Sequence, residues 1–362
     1  MKRYRLDDMT RGWFVGAFEP TALATDAAEA GVKRYAAGAR EAAHVHKIAT
    51  EITVILSGIA EMNGRRLTEG DIVVLAPGEA ADFHAVTDVV TVVVKTPCAP
   101  GDKHPAPTLN IVVPMAGRGR RFAEQGYASP KPLIPVCGRP MIELVVDNLR
   151  PSRPHRFIFL CLREHLEHYG LAAELARWAP GCVVRPVDQV TEGAACTVLL
   201  ARDLIDGPAP LMIANCDQWI DADIDAYLAR LDEPDVDGLI MTMAADRDPK
   251  WSFVACGPDG MVERVAEKEP ISNIATVGVY NFARGGDFVA AAGAMIAADM
   301  RVNGEFYVAP AYNMMLAAGA RVARHDIGAV DAGMHGLGVP EDLERFLSSP
   351  VARRLRSDAA RA

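Results

Sequence analysis

Residues 111–122 decide the fold, and they read Ile-Val-Val-Pro-Met-Ala-Gly-Arg-Gly-Arg-Arg-Phe. The apolar start, residues 111–113, is typical of a buried strand, and Gly117 and Gly119 follow where that strand ends. Two glycines one residue apart allow backbone N–H groups to come close to a phosphate chain. The arginines beside them, including Arg121, supply charge-assisted donors for phosphate oxygens. Neither a Gly-Lys-Ser/Thr nor a third glycine follows, so the loop is neither a Walker loop nor a dinucleotide fingerprint.

Outward from this loop, the sequence alternates between strand and helix patterns. Residues 157–160 and 211–214 are short apolar runs, and residues 141–149 place their apolar side chains on one helical face. This alternation predicts an α/β fold, a mostly parallel Rossmann-like sheet with helices on both faces. Ligands of such sheets bind beyond the carboxyl ends of the strands. Asp217, just past the run 211–214, is therefore a candidate site residue.

A lysine follows the glycine loop within residues 129–142, which read Ser-Pro-Lys-Pro-Leu-Ile-Pro-Val-Cys-Gly-Arg-Pro-Met-Ile. Lys131 is held between Pro130 and Pro132, which stiffen its backbone and exclude a position inside a helix. A rigid ammonium close to a phosphate-binding loop is suited to hold an α-phosphate and an attacking oxygen in line. Lys131 is therefore predicted to be catalytic.

Together these motifs resemble those of the sugar-phosphate nucleotidylyltransferases, and the resemblance continues to about Leu347. Residues 192–197, 215–218, 267–272 and 303–308 look like a subgroup found in capsule and surface-polysaccharide gene sets. The resemblance implies a GT-A-like enzyme that transfers NMP from an NTP to a small phosphorylated metabolite, first of all a sugar 1-phosphate, and releases pyrophosphate. It also implies a Mg²⁺ cofactor, because the reaction requires positioning and charge neutralisation.

The resemblance implies a role for each residue that matches a family motif. The residues that match the nucleotide-binding segments are Ala116, Gly117, Gly119, Glu192 and Gly193. Those that match catalytic positions are Lys131, Arg121 and Asp217, of which Asp217 is also the expected Mg²⁺ ligand. Those that match the acceptor-binding positions are Lys268 and Glu305, although the usual Glu-Lys-Pro is here Glu-Lys-Glu-Pro.

One departure from the family concerns the second metal ligand. Many relatives read Asp-Val-Gly-Thr-Pro-Glu-Asp-Leu near the C-terminus, whereas residues 336–343 read Gly-Leu-Gly-Val-Pro-Glu-Asp-Leu. Gly336 stands at the ligand position, so either Mg²⁺ has one protein carboxylate with phosphates and water, or a ligand comes from elsewhere.

Three alternative functions follow from these motifs. Gly336 leaves open a catalytically inactive regulatory protein that binds sugar nucleotides. The subgroup leaves open a CTP-dependent cytidylyltransferase that acts on a non-sugar phosphate or phosphonate. A glycosyltransferase is disfavoured because residues 215–217 read Asn-Cys-Asp rather than Asp-x-Asp.

The first hundred residues follow a different pattern, with short β-branched runs between glycine and proline turns. Residues 52–56, 71–75 and 89–94 are such runs, and their regular spacing predicts a sandwich or barrel. The spacing Gly-x5-His-x-His-x4-Glu-x6-Gly over residues 38–58 matches the first motif of the cupins. A small all-β cupin barrel is therefore predicted.

The cupin-like motif also predicts a metal site. His44 and His46 point to the same face of a strand, and Glu51 can complete a facial site for a divalent transition metal. The second cupin motif is partial, since its expected histidine falls on Ala81, with His84 nearby as a candidate ligand. A metal-bound barrel and a metal-free barrel both remain open, as do roles in isomerisation, product binding and dimerisation.

Residues 97–107 contain four prolines and a glycine and separate the two patterns, so they form the best linker candidate. We predict a cupin-like barrel at residues 1–103, a nucleotidylyltransferase domain at residues 104–350 and a basic C-terminal tail at residues 351–362.

Composition and charge limit the classes of partner. The net charge of −9 argues against a nucleic-acid binder, and no run approaches the roughly 18 apolar residues of a membrane span. The N-terminus lacks the apolar core of a signal peptide. Seven cysteines without a CxxC pair suit a reducing cytoplasm. The expected partners are an NTP and a small phosphorylated metabolite, with a homo-oligomer left open.

Overall fold

A computed structural model describes residues 1–233 and 235–359, with side chains through residue 357. The chain divides into two compact units. Unit 1 comprises Met1–Pro107 and Ser152–Pro154, and unit 2 comprises Thr108–Pro151 and His155–Ala362. The chain thus first passes from unit 1 to unit 2 after Pro107, four residues beyond the domain boundary predicted from the sequence.

Unit 1 is built from two antiparallel sheets of five strands each. The strands are β1 (Trp13–Val15), β2 (Glu29–Tyr35), β3 (Arg40–Val45), β4 (Thr50–Ser57), β5 (Ile59–Met62), β6 (Arg65–Thr68), β7 (Ile72–Leu75), β8 (Ala81–Ala85), β9 (Val89–Thr96) and β10 (His104–Pro105). The first sheet has the strand order β1-β2-β9-β4-β7, and the second has the order β10-β3-β8-β5-β6. The predicted runs 52–56 and 89–94 lie in β4 and β9, and the run 71–75 matches β7 except for its first residue, so the three strands are confirmed.

The proline-rich residues 97–107, predicted as a linker, are in fact partly folded into unit 1. β10 pairs with β3 at the edge of the second sheet. Pro105 is tolerated there because an edge strand can leave N–H positions unpaired. Asp102 is 4% exposed and accepts hydrogen bonds of 2.9 Å from the backbone N–H groups of residues 47–49. This carboxylate therefore ties the segment to the turn between β3 and β4.

Unit 2 is an α/β unit. Its strands are β11 (Leu109–Met115), β12 (Pro135–Val136), β13 (Arg139–Pro140), β14 (His155–Leu162), β15 (Val183–Val187), β16 (Leu211–Ala214), β17 (Gln218–Ile220), β18 (Gly238–Ala244), β19 (Ser252–Cys256), β20 (Val262–Glu267), β21 (Ile274–Phe282), β22 (Val322–Val330) and β23 (Gly333–Gly336). Its α-helices are α1 (Arg120–Glu124), α2 (Met141–Leu149), α3 (Arg163–Tyr169), α4 (Leu171–Trp178), α5 (Ala194–Leu199), α6 (Arg202–Ile205), α7 (Ile224–Ala229), α8 (Gly285–Ala297), α9 (Ala311–Ala317), α10 (Pro340–Leu347) and α11 (Pro350–Ala359).

The predicted α/β fold is confirmed, and the main sheet of unit 2 is mixed, with five parallel and three antiparallel neighbouring pairs along its strand order. Its strand order is β15-β14-β11-β16-β21-β18-β22-β23-β17, with β19 and β20 attached beside β21. β15, β14, β11 and β16 are parallel neighbours, whereas β21 runs antiparallel to both β16 and β18. The chain reaches β21 from β18 through the β19–β20 hairpin, without the helical crossover that a parallel pair requires.

The sheet of unit 2 is buried on both faces, as the alternating pattern predicts. Ile111 and Val113 belong to one apolar core, which contains residues of α2, α4 and α7. Val112, between them, belongs to a second core with residues of α5, α8 and α9. Helices on both faces explain why β11 reads as a continuous apolar run.

The C-terminal region and the helices bear on two further predictions. The predicted basic tail at residues 351–362 begins within α11, and residues 360–362 lie outside the described residues. Across residues 1–233 and 235–359, no helix is long and apolar enough to cross a membrane.

Candidate functional site

The carboxyl ends of β11 and β16 lie side by side because these strands are parallel neighbours. Each strand leads directly into a predicted site segment, residues 116–119 and residues 215–217. The cavity there has a volume of about 230 Å³, and it is lined by Pro114, Met115, Gly117, Gly119, Lys131, Pro132, Asn215, Cys216 and Asp217. The fold thus brings the glycine loop, the lysine and the aspartate together.

Lys131 and Asp217 form an ion pair in this cavity. The ammonium of Lys131 donates a short hydrogen bond to the Asp217 carboxylate, and the two side chains are 19% and 24% exposed. Burial alone would lower the pKa of Lys131, but the charge of Asp217 outweighs it and raises the pKa above its ordinary value. Lys131 is therefore a cation at neutral pH, as a role toward phosphates requires.

Gly119 permits a close approach between the glycine loop and Lys131. Its φ is +58°, in the left-handed region that favours glycine. A Cβ atom at this position would lie 2.9 Å from Cβ of Lys131, closer than real side chains come. Gly119, which is predicted to bind phosphate, thus also leaves the space that Lys131 occupies.

Gly338 is a site residue that the sequence reasoning did not assign. Leu337 donates its backbone N–H to the carbonyl of Asp217 at 2.8 Å, which brings the following residue close to the Asp217 side chain. A Cβ atom at Gly338 would lie 2.8 Å from Oδ2 of Asp217 and 3.8 Å from Nζ of Lys131. The glycine was visible in the C-terminal motif, but only the pairing of β23 with β17 shows what it approaches.

Asn215 and Gly278 form a second close contact that sequence reasoning missed. Asn215 donates its backbone N–H to the carbonyl of Gly278 at 3.0 Å. Gly278 has a φ of +79°, and a Cβ atom there would lie 2.2 Å from Nδ2 of Asn215. β21 therefore needs a glycine where it passes the Asn215 side chain, which lines the cavity.

Gly336 stands where many relatives have the second metal ligand. A neighbouring carboxylate occupies the space that a side chain at Gly336 would need. Gly336 pairs with Gln218 between β23 and β17. A Cβ atom at Gly336 would lie 3.0 Å from Oδ2 of Asp342. Among the described residues, Asp217 is not part of any cluster of three potential ligands. Its carboxylate fits a Mg²⁺ ion that takes its other ligands from substrate phosphates and water.

A second cluster of unit 2 contains Glu192 and Gly193, which are predicted to bind the nucleotide, and the residues predicted to bind the acceptor. Phe306 donates its backbone N–H to the carbonyl of Glu192 at 2.8 Å, and Ala195 donates to the carbonyl of Phe306 at 3.0 Å. Gly193 has a φ of +126°, and a Cβ atom there would lie 2.4 Å from the Phe306 carbonyl oxygen. Backbone hydrogen bonds therefore hold the turn at Glu192 against the segment that carries Glu305.

Lys268 lies against the same segment, through a residue that sequence reasoning missed. Its Nζ donates to the hydroxyl of Tyr307 at 2.6 Å and lies 4.8 Å from the centre of that ring. This hydrogen bond is the main cause that raises the pKa of Lys268, with Glu267 and Glu305 adding to it. Lys268 thus presents a fixed positive charge beside Glu305.

Two further predicted residues, Arg121 and Ala116, belong neither to the cavity lining nor to the second cluster. Arg121 is exposed on α1 and is absent from the cavity lining. The side chain of Ala116 is 5% exposed and packs in the second core of unit 2, so only its backbone can face a ligand.

In unit 1, His44, His46 and Glu51 come together as the motif predicts, with their potential ligand atoms within 4.8 Å of one another. Nε2 of His46 lies 2.9 Å from Oε2 of Glu51. Burial lowers the pKa of His44, which favours the neutral imidazole that binds metals. Two imidazoles and a carboxylate suit a divalent transition metal.

His84, the further candidate ligand, lies elsewhere. Its Nδ1 is 3.2 Å from Oε2 of Glu61, and His84 does not line the cavity that contains the two histidines. Ala81 pairs with His44 across β3 and β8 instead. Side chains alternate along a strand, so a residue three positions away from Ala81 points to the other face.

Two curated relatives each resemble part of this chain. The bifunctional protein GlmU of Paraburkholderia xenovorans is 28% identical over 225 residues, which are 59% of this chain and 46% of that protein. GlmU of Burkholderia orbicola is 28% identical over 166 residues, which are 45% of this chain and 34% of that protein. The chain therefore spans about a third to a half of the length of these relatives.

Solved structures resemble the chain over about two thirds of its length. A nucleoside-diphosphate-sugar pyrophosphorylase from Vibrio cholerae has a TM-score of 0.56 and 25% identity, covering 66% of this chain and 99% of that one. The inositol-1-phosphate CTP transferase from T. maritima has a TM-score of 0.54 and 14% identity, covering 69% of this chain and 95% of that one. The second likeness shows a shared fold alone.

The family assignment rests on residues 111–301, which match the family described as nucleotidyl transferase. This match covers more than half of the chain and includes both the glycine loop and Asp217. The prediction of an enzyme of the nucleotidyltransferase class is thereby confirmed. The chain belongs to the nucleotidyl transferase family.

Proposed function

We propose that unit 2 transfers NMP from an NTP to a small phosphorylated metabolite and releases pyrophosphate. The favoured acceptor is a sugar 1-phosphate. One observation carries this proposal, the meeting of the glycine loop, Lys131 and Asp217 at the ends of β11 and β16. Family membership supports the class of reaction. The 25% identity to a nucleoside-diphosphate-sugar pyrophosphorylase supports a sugar phosphate as acceptor.

In this reaction, an oxygen of the acceptor phosphate forms a bond to the α-phosphorus of the NTP. The bond between that phosphorus and the oxygen bridging to the β-phosphate breaks, and pyrophosphate leaves. The loop at Gly117 and Gly119 offers backbone N–H groups to the triphosphate. The Lys131 ammonium stabilises negative charge that develops around the α-phosphate, as a preorganised cation does.

Asp217 has two tasks in this proposal. Without substrate, its carboxylate balances the charge of Lys131. The oxygens of a bound triphosphate would compete for the lysine, and the carboxylate would then be available to hold Mg²⁺. Bound at Asp217, Mg²⁺ would neutralise charge on the triphosphate.

The acceptor is assigned to the second cluster of unit 2. Lys268 holds a fixed positive charge suited to the acceptor phosphate, and Tyr307 sets the direction of its ammonium. Glu305 and Glu192 are exposed carboxylates that can accept hydrogen bonds from acceptor or ribose hydroxyls. Lys268 and Glu305 are therefore proposed to bind the acceptor. Glu192 and Gly193 are proposed to bind the nucleotide.

Unit 1 is proposed to be the cupin-like barrel. The pair of antiparallel sheets and the cluster of His44, His46 and Glu51 support this assignment, with a divalent transition metal as its cofactor. A role in capsule or surface-polysaccharide precursor synthesis is supported by the motif resemblance.

Release of pyrophosphate from each of the four NTPs, measured against a panel of sugar 1-phosphates and polyol phosphates, tests the proposed function. We expect one NTP and one acceptor class to give turnover that depends on Mg²⁺. Lys131→Met should lower turnover at least about a hundredfold, whereas Lys47→Met, at an exposed position of unit 1, should leave it unchanged. Nucleotide binding without turnover in any combination would instead identify a sugar-nucleotide-binding protein.

A further inference from the structure

The first sheet of unit 1 turns a polar face toward the interior. Side chains alternate along β2, β9 and β4, and cross-strand pairing places Glu29, Lys95 and Glu51 in one row. Polar or charged side chains that are at most 9% exposed line the same cavity at Glu29, His46, Glu51, Thr53, Thr91 and Lys95. Burying such groups costs free energy unless each has a partner. An apolar face would be more stable, so this face points to a ligand.

The cavity behind this face is large enough for a small molecule. Its volume is about 430 Å³, which lies within the range of about 300–1,000 Å³ that is typical of ligand pockets. Its wall includes Arg11, Trp13 and Lys33 on one side and Asp82 on another strand. All of these residues belong to unit 1.

Lys33 is a cation on this wall that contacts a backbone carbonyl and an aromatic ring rather than a carboxylate. Its Nζ donates to the carbonyl of Arg11 at 3.0 Å and lies 4.2 Å from the centre of the Trp13 ring. Within the described part of the chain, no carboxylate forms an ion pair with it, whereas Lys95 pairs with Glu29 at 2.8 Å. Burial lowers the pKa of Lys33, and the charges of Lys95, Lys103 and Arg11 lower it further.

Glu41 is the carboxylate whose charge acts most on Lys33, but it is bound to other groups. It accepts a hydrogen bond from the hydroxyl of Tyr35 at 2.8 Å and another from the ammonium of Lys103. Glu41 therefore acts on Lys33 only from beyond ion-pair distance, and a bound anion could pair with this ammonium directly.

Thr91 gives an independent sign of a missing ligand. Its hydroxyl is buried, with the residue 1% exposed, and it has no hydrogen-bond partner among the described residues. Thr91 lies directly opposite Lys33 in the pairing of β2 with β9, so both groups line the same part of the cavity. Buried hydroxyls are normally satisfied, and an unsatisfied one requires an explanation.

We propose that this cavity of unit 1 binds a small organic anion that carries hydroxyl groups, a phosphorylated or carboxylated sugar in chemical class. The anionic group lies against Lys33 and Thr91, which offer an ammonium and a hydroxyl. The sugar hydroxyls donate to the carboxylate of Asp82, which lines the same cavity. The site goes beyond the nucleotidyl transfer proposed for unit 2 and does not depend on it.

Calorimetric titration of the full chain with glucose 6-phosphate, glucuronate and glucose tests this site. We expect one or both anions to bind and neutral glucose to bind at least about tenfold more weakly, because a charge-assisted hydrogen bond is lost. The comparison between the two anions distinguishes a phosphate from a carboxylate ligand.

Variants of the cavity wall locate the bound anion. Lys33→Gln should raise the dissociation constant at least about tenfold. Thr91→Val should raise it about threefold or more without lowering the melting temperature, because the hydroxyl it removes has no partner. Arg34→Gln is the matched control, since Arg34 is exposed on the same strand and points to the opposite face.

Three results would overturn the proposal. The first is no binding of either anion at millimolar concentration. The second is unchanged affinity in folded Lys33→Gln and Thr91→Val proteins. The third is binding that survives both changes but disappears in Lys268→Gln, which would place the anion in unit 2.

Discussion

Gly338→Ala adds one methyl group beside the Asp217 carboxylate, at a position where the backbone φ itself does not require glycine. The new Cβ would lie 2.8 Å from Oδ2 of Asp217, about 0.6 Å inside the 3.4 Å at which ordinary contact begins. The carboxylate is 24% exposed, so it can turn away rather than disrupt the fold. It then leaves the position in which it meets Lys131.

The size of the effect follows from that displacement. A misplacement of about 1 Å can lower a rate about a hundredfold, so a shift of about 0.6 Å should lower kcat about tenfold or more. A tenfold loss corresponds to about 1.4 kcal/mol of transition-state stabilisation. The KM for the NTP should change little, because the glycine loop is untouched. The Mg²⁺ concentration for half-maximal rate should rise, since Asp217 is the proposed ligand.

Steady-state pyrophosphate release over a Mg²⁺ series measures both quantities. Gly293→Ala is the matched control, because Gly293 lies in α8 with no atom within 4 Å of an added Cβ. It should leave kcat unchanged and stabilise the helix by up to about 1 kcal/mol. A folded Gly338→Ala protein with native kcat and native Mg²⁺ dependence would refute the reasoning.

Three further predictions concern other close contacts. Gly336→Asp should not strengthen Mg²⁺ binding in calorimetry, because its Cβ would lie 3.0 Å from Oδ2 of Asp342 and its carboxylate would add a like charge. Combining it with Asp342→Asn should raise the melting temperature above that of the single variant. Gly193→Ala should lower the melting temperature and raise the KM for the acceptor, since its Cβ would lie 2.4 Å from the Phe306 carbonyl oxygen; unchanged values would contradict the coupling of these segments. Burial opposes ionisation of Asp102, but backbone N–H groups outweigh it and lower its pKa from 3.8 to about 2. Its stabilisation is therefore present above the ordinary pKa and lost as the pH falls toward 2, so Asp102→Asn should lose on the order of 2 kcal/mol at neutral pH and show no such loss in acid by circular dichroism.

Local pattern was enough to predict the elements that frame the site. The run 211–214 and the helical face 141–149 coincide with β16 and α2 because apolar periodicity reports burial directly. The prolines beside Lys131 likewise exclude the interior of a helix on steric grounds alone. Each of these features depends on a few neighbouring residues.

Contacts between segments that are distant in sequence could not be predicted from local patterns. Gly338 approaches Asp217 only because β23 pairs with β17, and Gly278 approaches Asn215 only because β21 pairs with β16. The antiparallel direction of β21 depends on a hairpin whose strands carry no distinguishing apolar period. Tyr307, which orients Lys268, lies 39 residues away in sequence.

The polar inner face of unit 1 has a consequence for the heat capacity of unfolding. Exposing apolar surface raises the heat capacity, whereas exposing polar surface lowers it. The buried apolar cluster of unit 1 has Ile55 and Phe83 as its bulkiest members, and buried polar groups such as Glu29 and Lys95 lie beside it. Unit 1 should therefore show a smaller heat-capacity increment per residue than unit 2, and its stability should vary less with temperature. Unit 1 should therefore resist cold denaturation better than unit 2.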